Sequence, residues 1–208
     1  EIRFCDWSSD VCSSDLHGHE GGEDRDMSRG DQQRTPRSVL LTGATGFIGR
    51  KLCRRLLADG DGIVALTRDT ERARQILGTQ VRLIASLDEI SASERIDVVV
   101  NLAGAPVVSL WTEARRAELL DSRLRVTNNI TALIARLGHK PSVLINASAI
   151  GYYGVRGDEE ITEAARGQPI FQSHLCQAWE LAAQAAEQYG VRVCRLRFGP
   201  VLDRKSVV

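Results

Sequence analysis

Short runs of aliphatic and β-branched residues recur through the middle of the chain, at 38–42, 63–67, 81–85, 98–101, 143–147 and 191–197. Runs of this length bounded by polar and turn-forming residues read as buried strands. Between most of them apolar residues return every three or four positions, over 47–58, 70–77, 113–137 and 172–189, the period of a helix with one face on a core. Parallel neighbours in a sheet need a crossover connection, and a helix supplies it. The alternation therefore predicts an α/β fold, a doubly wound parallel sheet covered by helices on both faces.

The ends of the chain lack either period. Residues 1–36 mix Ser, Asp, Gly, Glu and Arg without a core-forming pattern, so they cannot bury enough apolar surface to offset the entropy of ordering them. They are expected to be a disordered tail. Phe4 to Leu16 (FCDWSSDVCSSDL) resembles translated sequencing-adaptor sequence, and so does RKSVV at 204–208; both are expected artefacts, which makes Met27 the expected native start. The expected domain is 37–203, and the protein is expected to continue beyond it.

Composition narrows the function classes. With 208 residues, 43% hydrophobic and 26% charged, the chain has the make-up of one ordinary globular core. Basic and acidic residues number 27 each, so no overall field favours nucleic acid or an anionic membrane, and neither is expected as a partner. No apolar run approaches the roughly 20 residues of a membrane span, and a cytoplasmic location is expected. Cys5, Cys12, Cys53, Cys176 and Cys194 fit neither a disulfide framework nor a zinc pattern, so the thiols are read as reduced. His17 and His19 near Cys12 sit in the polar tail, and no metal site is expected.

The candidate chemistry begins where the first run meets the first helix. Thr42-Gly43-Ala44-Thr45-Gly46-Phe47-Ile48-Gly49 opens an amphipathic helix directly after a strand, the setting of a Rossmann-type dinucleotide fingerprint. Gly43 permits the tight turn, Gly46 the close approach of backbone to a pyrophosphate, and Gly49 the packing of helix on strand. N–H groups at the helix start then face the phosphates, which makes Gly43, Thr45, Gly46, Phe47, Ile48 and Gly49 the candidate cofactor positions. About 20 residues further on, an acidic side chain suits the ribose of NAD and an arginine the 2′-phosphate of NADP. The second strand ends in Thr67-Arg68-Asp69. Arg68 comes first, while Asp69 is placed to cap the next helix. NADP is the expected cofactor; Asp69 remains able to serve NAD.

GATGFIG (43–49), NLAGAP (101–106), DSR with a following Thr (121–123, Thr127), SAIGYYG (148–154), AWE (178–180) and RLRFGPVL (195–202) occur in that order. Over 38–203 the chain thereby resembles the atypical extended short-chain dehydrogenases, the epimerase family or nucleoside-diphosphate-sugar epimerase-like proteins. The resemblance implies that Leu102, Ala103 and Gly104 line the cofactor's ribose and phosphate, and that Ser148 stands at the reacting carbon. It also implies a C-terminal substrate-binding lobe that this chain lacks. Typical relatives carry Tyr-x-x-x-Lys on the following helix, where Gln172 and Cys176 stand here, and neither performs that chemistry. Tyr152 and Tyr153 are the nearest phenols, each placed to contact substrate or to donate a proton; Ser148 and Tyr153 are the candidate catalytic pair. Cys176 has no histidine placed to activate it, and Glu163, Trp179 and Glu180 receive no catalytic role. The expected function is an NADP-dependent epimerase- or oxidoreductase-like enzyme acting on a small molecule, with a nucleotide sugar as one class. The alternative is a non-catalytic dinucleotide-binding regulatory or redox-sensing protein. Oligomeric state is not legible.

Overall fold

Six strands form one wholly parallel sheet: β1 (Ser38–Thr42), β2 (Gly62–Leu66), β3 (Arg82–Ile84), β4 (Val98–Asn101), β5 (Val143–Ala149) and β6 (Arg192–Phe198). Four helices join them: α1 (Phe47–Ala58), α2 (Thr70–Leu77), α3 (Glu113–Arg136) and α4 (Phe171–Gln184). The structure is a computed structural model that describes residues 35–107 and 110–201, so the expectations for 1–34 and 204–208 lie outside the described residues.

The strand order is β3-β2-β1-β4-β5-β6. The chain winds outward from β1 to β3, then returns to the other side of β1, so the direction of winding reverses between β1 and β4. In such a sheet the turns at the carboxyl ends diverge at that point and leave a crevice. The doubly wound Rossmann-type sheet predicted from the alternation is the observed fold.

Successive strand residues face opposite sides, and the two sides have separate cores. Leu40, Val64, Val99 and Leu144 pack with Ile130, Leu133 and Ile134 of α3 and Ala183 of α4. Val39, Leu41, Ile63, Ala65, Val98 and Val100 pack with Cys53 and Leu56 of α1. Each fully buried Leu, Ile or Val contributes about 1.5–3 kcal/mol relative to leaving it in water. At the amino ends, carboxylates pin the first strand: the Arg37 N–H donates to Asp61 at 3.0 Å and the Ser38 N–H to Asp97 at 2.8 Å.

The expected bounds of β2, β3, β6 and α3 shift by one residue, and two larger differences have physical reasons. The fifth strand runs two residues further, to Ala149, because β6 lies beside it through Ser148↔Arg197 and Ala149↔Phe198. The last helix changes to a 3-10 turn over Ala185–Tyr189, which Gly190 ends at φ +78°, a left-handed position that glycine adopts without a Cβ clash.

On the α1 side, the β5–β6 half of the sheet is open. A groove of about 420 Å³ runs between Ile48 and Leu52 of α1 and Ile145, Leu196 and Phe198, and Leu196 is 40% exposed. Among the described residues no helix is long and apolar enough to cross a membrane. An open apolar groove of this kind favours association. Sedimentation equilibrium of this chain should therefore show average mass rising with concentration, and Leu196→Lys should reduce the rise; a strictly monomeric parent would contradict the expectation.

Candidate functional site

The turn after β1 is set by two glycines with different neighbours. Gly43 has φ +68°, and a Cβ there would stand 2.7 Å from the Leu102 carbonyl group, so the turns after β1 and β4 touch backbone to backbone. A Cβ on Gly49 would fall 2.2 Å from the Gly43 oxygen and 2.8 Å from Ala44 Cα; its absence lets α1 sit directly on the turn. Gly46 is different. Among the described residues the one close neighbour of a Cβ there would be the Gly43 oxygen at 3.2 Å, so the fold itself asks little of this position.

Gly46 is also the N-cap of α1 and supplies no side-chain acceptor, and the first turn carries no acidic residue. The leading N–H groups and the positive end of the helix dipole are therefore uncompensated by the helix's own side chains. Ile48 turns its side chain into the groove against the sheet and Phe47 lies beneath the Lys51 ammonium at 4.7 Å. What these two present at the turn is backbone.

Beside this turn, Thr45, Thr67, Arg68, Asp69 and Arg72 line a recess of about 210 Å³. Asp69 is the N-cap of α2, its carboxylate accepting from the Arg72 N–H at 2.9 Å, as its position implied. Neither the Arg68 nor the Arg72 guanidinium makes a hydrogen bond or ion pair among the described residues. Arg72 was missed from sequence; the available signal was its place one helical turn beyond Arg68.

Across the carboxyl ends of the central strands runs a buried row of amides and hydroxyls. Thr42 and Asn101 are register partners, as are Asn101 and Asn146. The Thr42 hydroxyl donates to Asn101 at 2.6 Å, and the Asn101 amide donates to Asn146 at 2.7 Å and to Thr127 of α3 at 3.0 Å. Trp179 of α4 donates its indole N–H to the same Thr127 hydroxyl at 3.1 Å. The Ala103 N–H donates to Thr42 at 3.2 Å, which seats the turn after β4 with Leu102 and Ala103 half-buried and Gly104 exposed.

Ser148 and Tyr153 are brought together through two residues that sequence reasoning left without a role. Ser148 donates its hydroxyl proton to Glu180 at 2.6 Å. Arg197, its register partner on β6, donates to both oxygens of Glu180 at 2.8 Å. The same guanidinium donates to the Tyr153 hydroxyl at 2.8 Å and lies 3.5 Å from the Tyr152 ring centroid. Burial alone would push the Glu180 carboxyl up, but the hydrogen bonds from Arg197 and Ser148 outweigh it and hold the carboxyl below its usual range. The hydrogen bond to Glu180 raises the pKa of Arg197. Cys176 is buried, and burial pushes its thiol up despite contacts with Ala149 and Ser148, so it rests as a neutral thiol. Gln172 and Cys176 pack against Gly151 instead: a Cβ there would meet Gln172 Cβ at 3.3 Å and Cys176 Sγ at 4.0 Å. Among the described residues no cluster of His, Cys, Asp or Glu is placed to hold a metal.

A glycine turn with an open helix start, at the switch point of a doubly wound sheet, defines a Rossmann-type nucleotide-binding domain. Residues 39–202 match the NAD dependent epimerase/dehydratase family, and the chain belongs to it. It is 35% identical to the epimerase family protein YfhF of Bacillus subtilis over 176 residues, which are 82% of this chain and 57% of that protein. Among solved structures it resembles the nucleoside-diphosphate sugar epimerase of Corynebacterium glutamicum, with a TM-score of 0.67 and 28% identity over 81% of this chain and 35% of that one. It also resembles the human epimerase family protein SDR39U1 solved with NADPH, with a TM-score of 0.65 and 29% identity over 80% of this chain and 55% of that one. The chain spans about half the length of the curated relatives it matches.

Two checks follow from this geometry. Gly49→Ala forces a methyl against the Gly43 carbonyl and should destabilise the fold by about 1–3 kcal/mol or more, whereas Gly46→Ala should change the melting temperature little; equal losses in thermal melts would contradict the assignment. Because the Glu180 carboxyl is more acidic folded than unfolded, its contribution to stability is present above about pH 4.5 and is lost as pH falls through the lowered folded value. Glu180→Gln should flatten that acid loss in melts run between about pH 3 and pH 6, and an unchanged pH slope would show that the carboxylate contributes nothing.

Proposed function

We propose that the chain is the cofactor-holding part of an NADP-dependent epimerase- or oxidoreductase-like enzyme acting on a small molecule of the nucleotide-sugar class. The observation that carries this reading is the recess beside the glycine turn. Its two arginines are unengaged, and its one carboxylate, Asp69, is committed as a helix cap. A 2′-phosphate suits such a recess better than bare ribose hydroxyls. The fit of a dinucleotide rests on Gly46, which is exposed and leaves the turn bare of a side chain, and on the uncapped start of α1. The human relative solved with NADPH and the bacterial sugar epimerase support the same class.

The cofactor supplies hydride transfer at a carbon bearing a hydroxyl or carbonyl. This chain's residues divide the remaining work. Thr45, Phe47, Ile48 and Gly49 would hold the pyrophosphate on backbone N–H groups, with Gly43 and Gly46 shaping the turn, the Gly46 N–H being given to the Gly43 carbonyl at 3.0 Å; Arg68 and Arg72 would hold the 2′-phosphate, and Leu102, Ala103 and Gly104 would line the far ribose. Ser148 spends its proton on Glu180 and so offers lone pairs, as an acceptor. Tyr153 accepts from Arg197 and so keeps its own proton to give, as the donor. The pair thus presents opposite polarity to a reacting oxygen.

One observation favours the non-catalytic reading. Ser148 and Tyr153 are only 3% and 8% exposed and both are engaged internally. A full-length protein that binds NADPH yet consumes none against a pool of nucleotide sugars and small carbonyl compounds would establish the sensor and remove the enzyme. For cofactor choice, Arg68→Ala should weaken NADPH binding on the order of tens-fold by titration calorimetry while NADH binding barely moves. Equal loss of both, or tighter NADH in the parent, would reverse the preference.

A further inference from the structure

Arg123, on α3, is a buried arginine whose charge meets two backbone carbonyls and an indole ring but, among the described residues, no carboxylate. Only 7% of it is exposed. Its guanidinium donates to the Leu119 carbonyl at 3.0 Å and to the Ala105 carbonyl at 3.1 Å. Its Nε is buried without a hydrogen-bond partner, and no carboxylate pairs with it among the described residues. Burial pulls its pKa down, and the charge of Arg115 adds to that pull against a contrary effect of Cys176; an arginine remains cationic across the neutral range all the same. Burying a cation without an anion is costly, so a use for the charge is to be looked for next to it.

Its neighbours locate that use. The guanidinium carbon lies 5.1 Å from the Trp179 ring centroid, and Trp179 is itself anchored to Thr127. A Cβ built on Gly104 would stand 3.1 Å from the guanidinium carbon and 3.3 Å from Nε. Gly104 is exposed at the turn after β4, so only a glycine separates the fixed charge from the crevice. In the strand order this turn lies on the opposite side of β1 from Arg68, which follows β2. A dinucleotide held by its adenosine phosphate at Arg68 and by its pyrophosphate at the start of α1 would have its nicotinamide half on the Gly104 side of β1. That half changes charge with redox state: the oxidised ring is a pyridinium cation, and on accepting a hydride, one proton with two electrons, it becomes neutral.

We propose that Arg123 biases this site toward the reduced cofactor, its buried charge behind Gly104 opposing the pyridinium of NADP+ while leaving the neutral ring of NADPH unopposed. The inference rests on the dinucleotide reading above and assigns a role within it to the DSR segment, which that reading left unused. Arg123 is a positioning and electrostatic residue and makes no contact with the reacting atoms.

The test is the ratio of dissociation constants for NADP+ and NADPH, measured on this chain by calorimetry. Two like charges a few residues' breadth apart in a partly dry site predict NADPH tighter by on the order of ten-fold. Arg123→Lys, which keeps the charge, should retain the preference, and Arg123→Met should bring the ratio toward one. Should Arg123→Met fail to fold, Arg123→Gln and the parent ratio carry the test. A merely structural Arg123 would weaken both forms in proportion, and an unmoved ratio in Arg123→Met or Arg123→Gln overturns the proposal, as does equal affinity in the parent. Binding of neither form by the parent overturns the dinucleotide reading itself, and the proposal with it.

Discussion

Thr42, Asn101 and Asn146 contribute one side chain each from the three central strands to a hydrogen-bonded row, and the crevice depends on that row staying intact. All three are buried, so each amide or hydroxyl left without a partner would cost about 1–3 kcal/mol. A slip of one residue in either strand pairing would turn its side chains to the other face of the sheet and orphan the set. The row therefore specifies register as well as contributing stability. It reaches α3 through Thr127, α4 through Trp179 and the turn after β4 through Ala103. The same bonds that align the strands thus hold the loops that form the crevice walls.

The charges at the two ends of the sheet are arranged differently: at the amino ends the Asp61 and Asp97 carboxylates are paired with Arg37 and Arg95. At the amino ends, Asp61 and Asp97 accept backbone N–H groups of the first strand and its approach. At the carboxyl ends, two carboxylates are committed: Asp69 caps α2 and Glu180 is held by Arg197 and Ser148. Beside them stand the open start of α1, Arg68, Arg72 and the buried Arg123. A chain with no formal net charge thereby acquires a local field suited to an anionic ligand. Composition could not reveal this, because it counts charges without saying which are neutralised by neighbours.

The Glu180–Arg197 pair shows how a candidate site becomes a constructed one. Ser148 stood out in sequence through the family resemblance, and Tyr153 as one of the two phenols nearest to it. What joins them comes from elsewhere, Glu180 from α4 and Arg197 from β6. Glu180 and Arg197 lie in recognisable segments of the chain, yet nothing in their spacing shows that one carboxylate would orient one hydroxyl while its partner cation orients another. That follows only from Ser148 and Arg197 being register partners on adjacent strands.

The sequence by itself determined the elements and the main turn. Apolar period marked all six strands and four helices, with β1, β4, α1 and α2 at their observed bounds, and the spacing of Gly43, Gly46 and Gly49 marked the crevice. These are local properties: period, propensity and backbone freedom act within a few residues. The tertiary structure alone decided which polar groups meet. The Thr42–Asn101–Asn146 row, the engagement of Ser148 by Glu180 and the isolation of Arg123 behind Gly104 all depend on distances between segments far apart in the chain. Hydrogen bonds and charges act through space over a few ångströms, and that proximity exists only once the strands are ordered and in register.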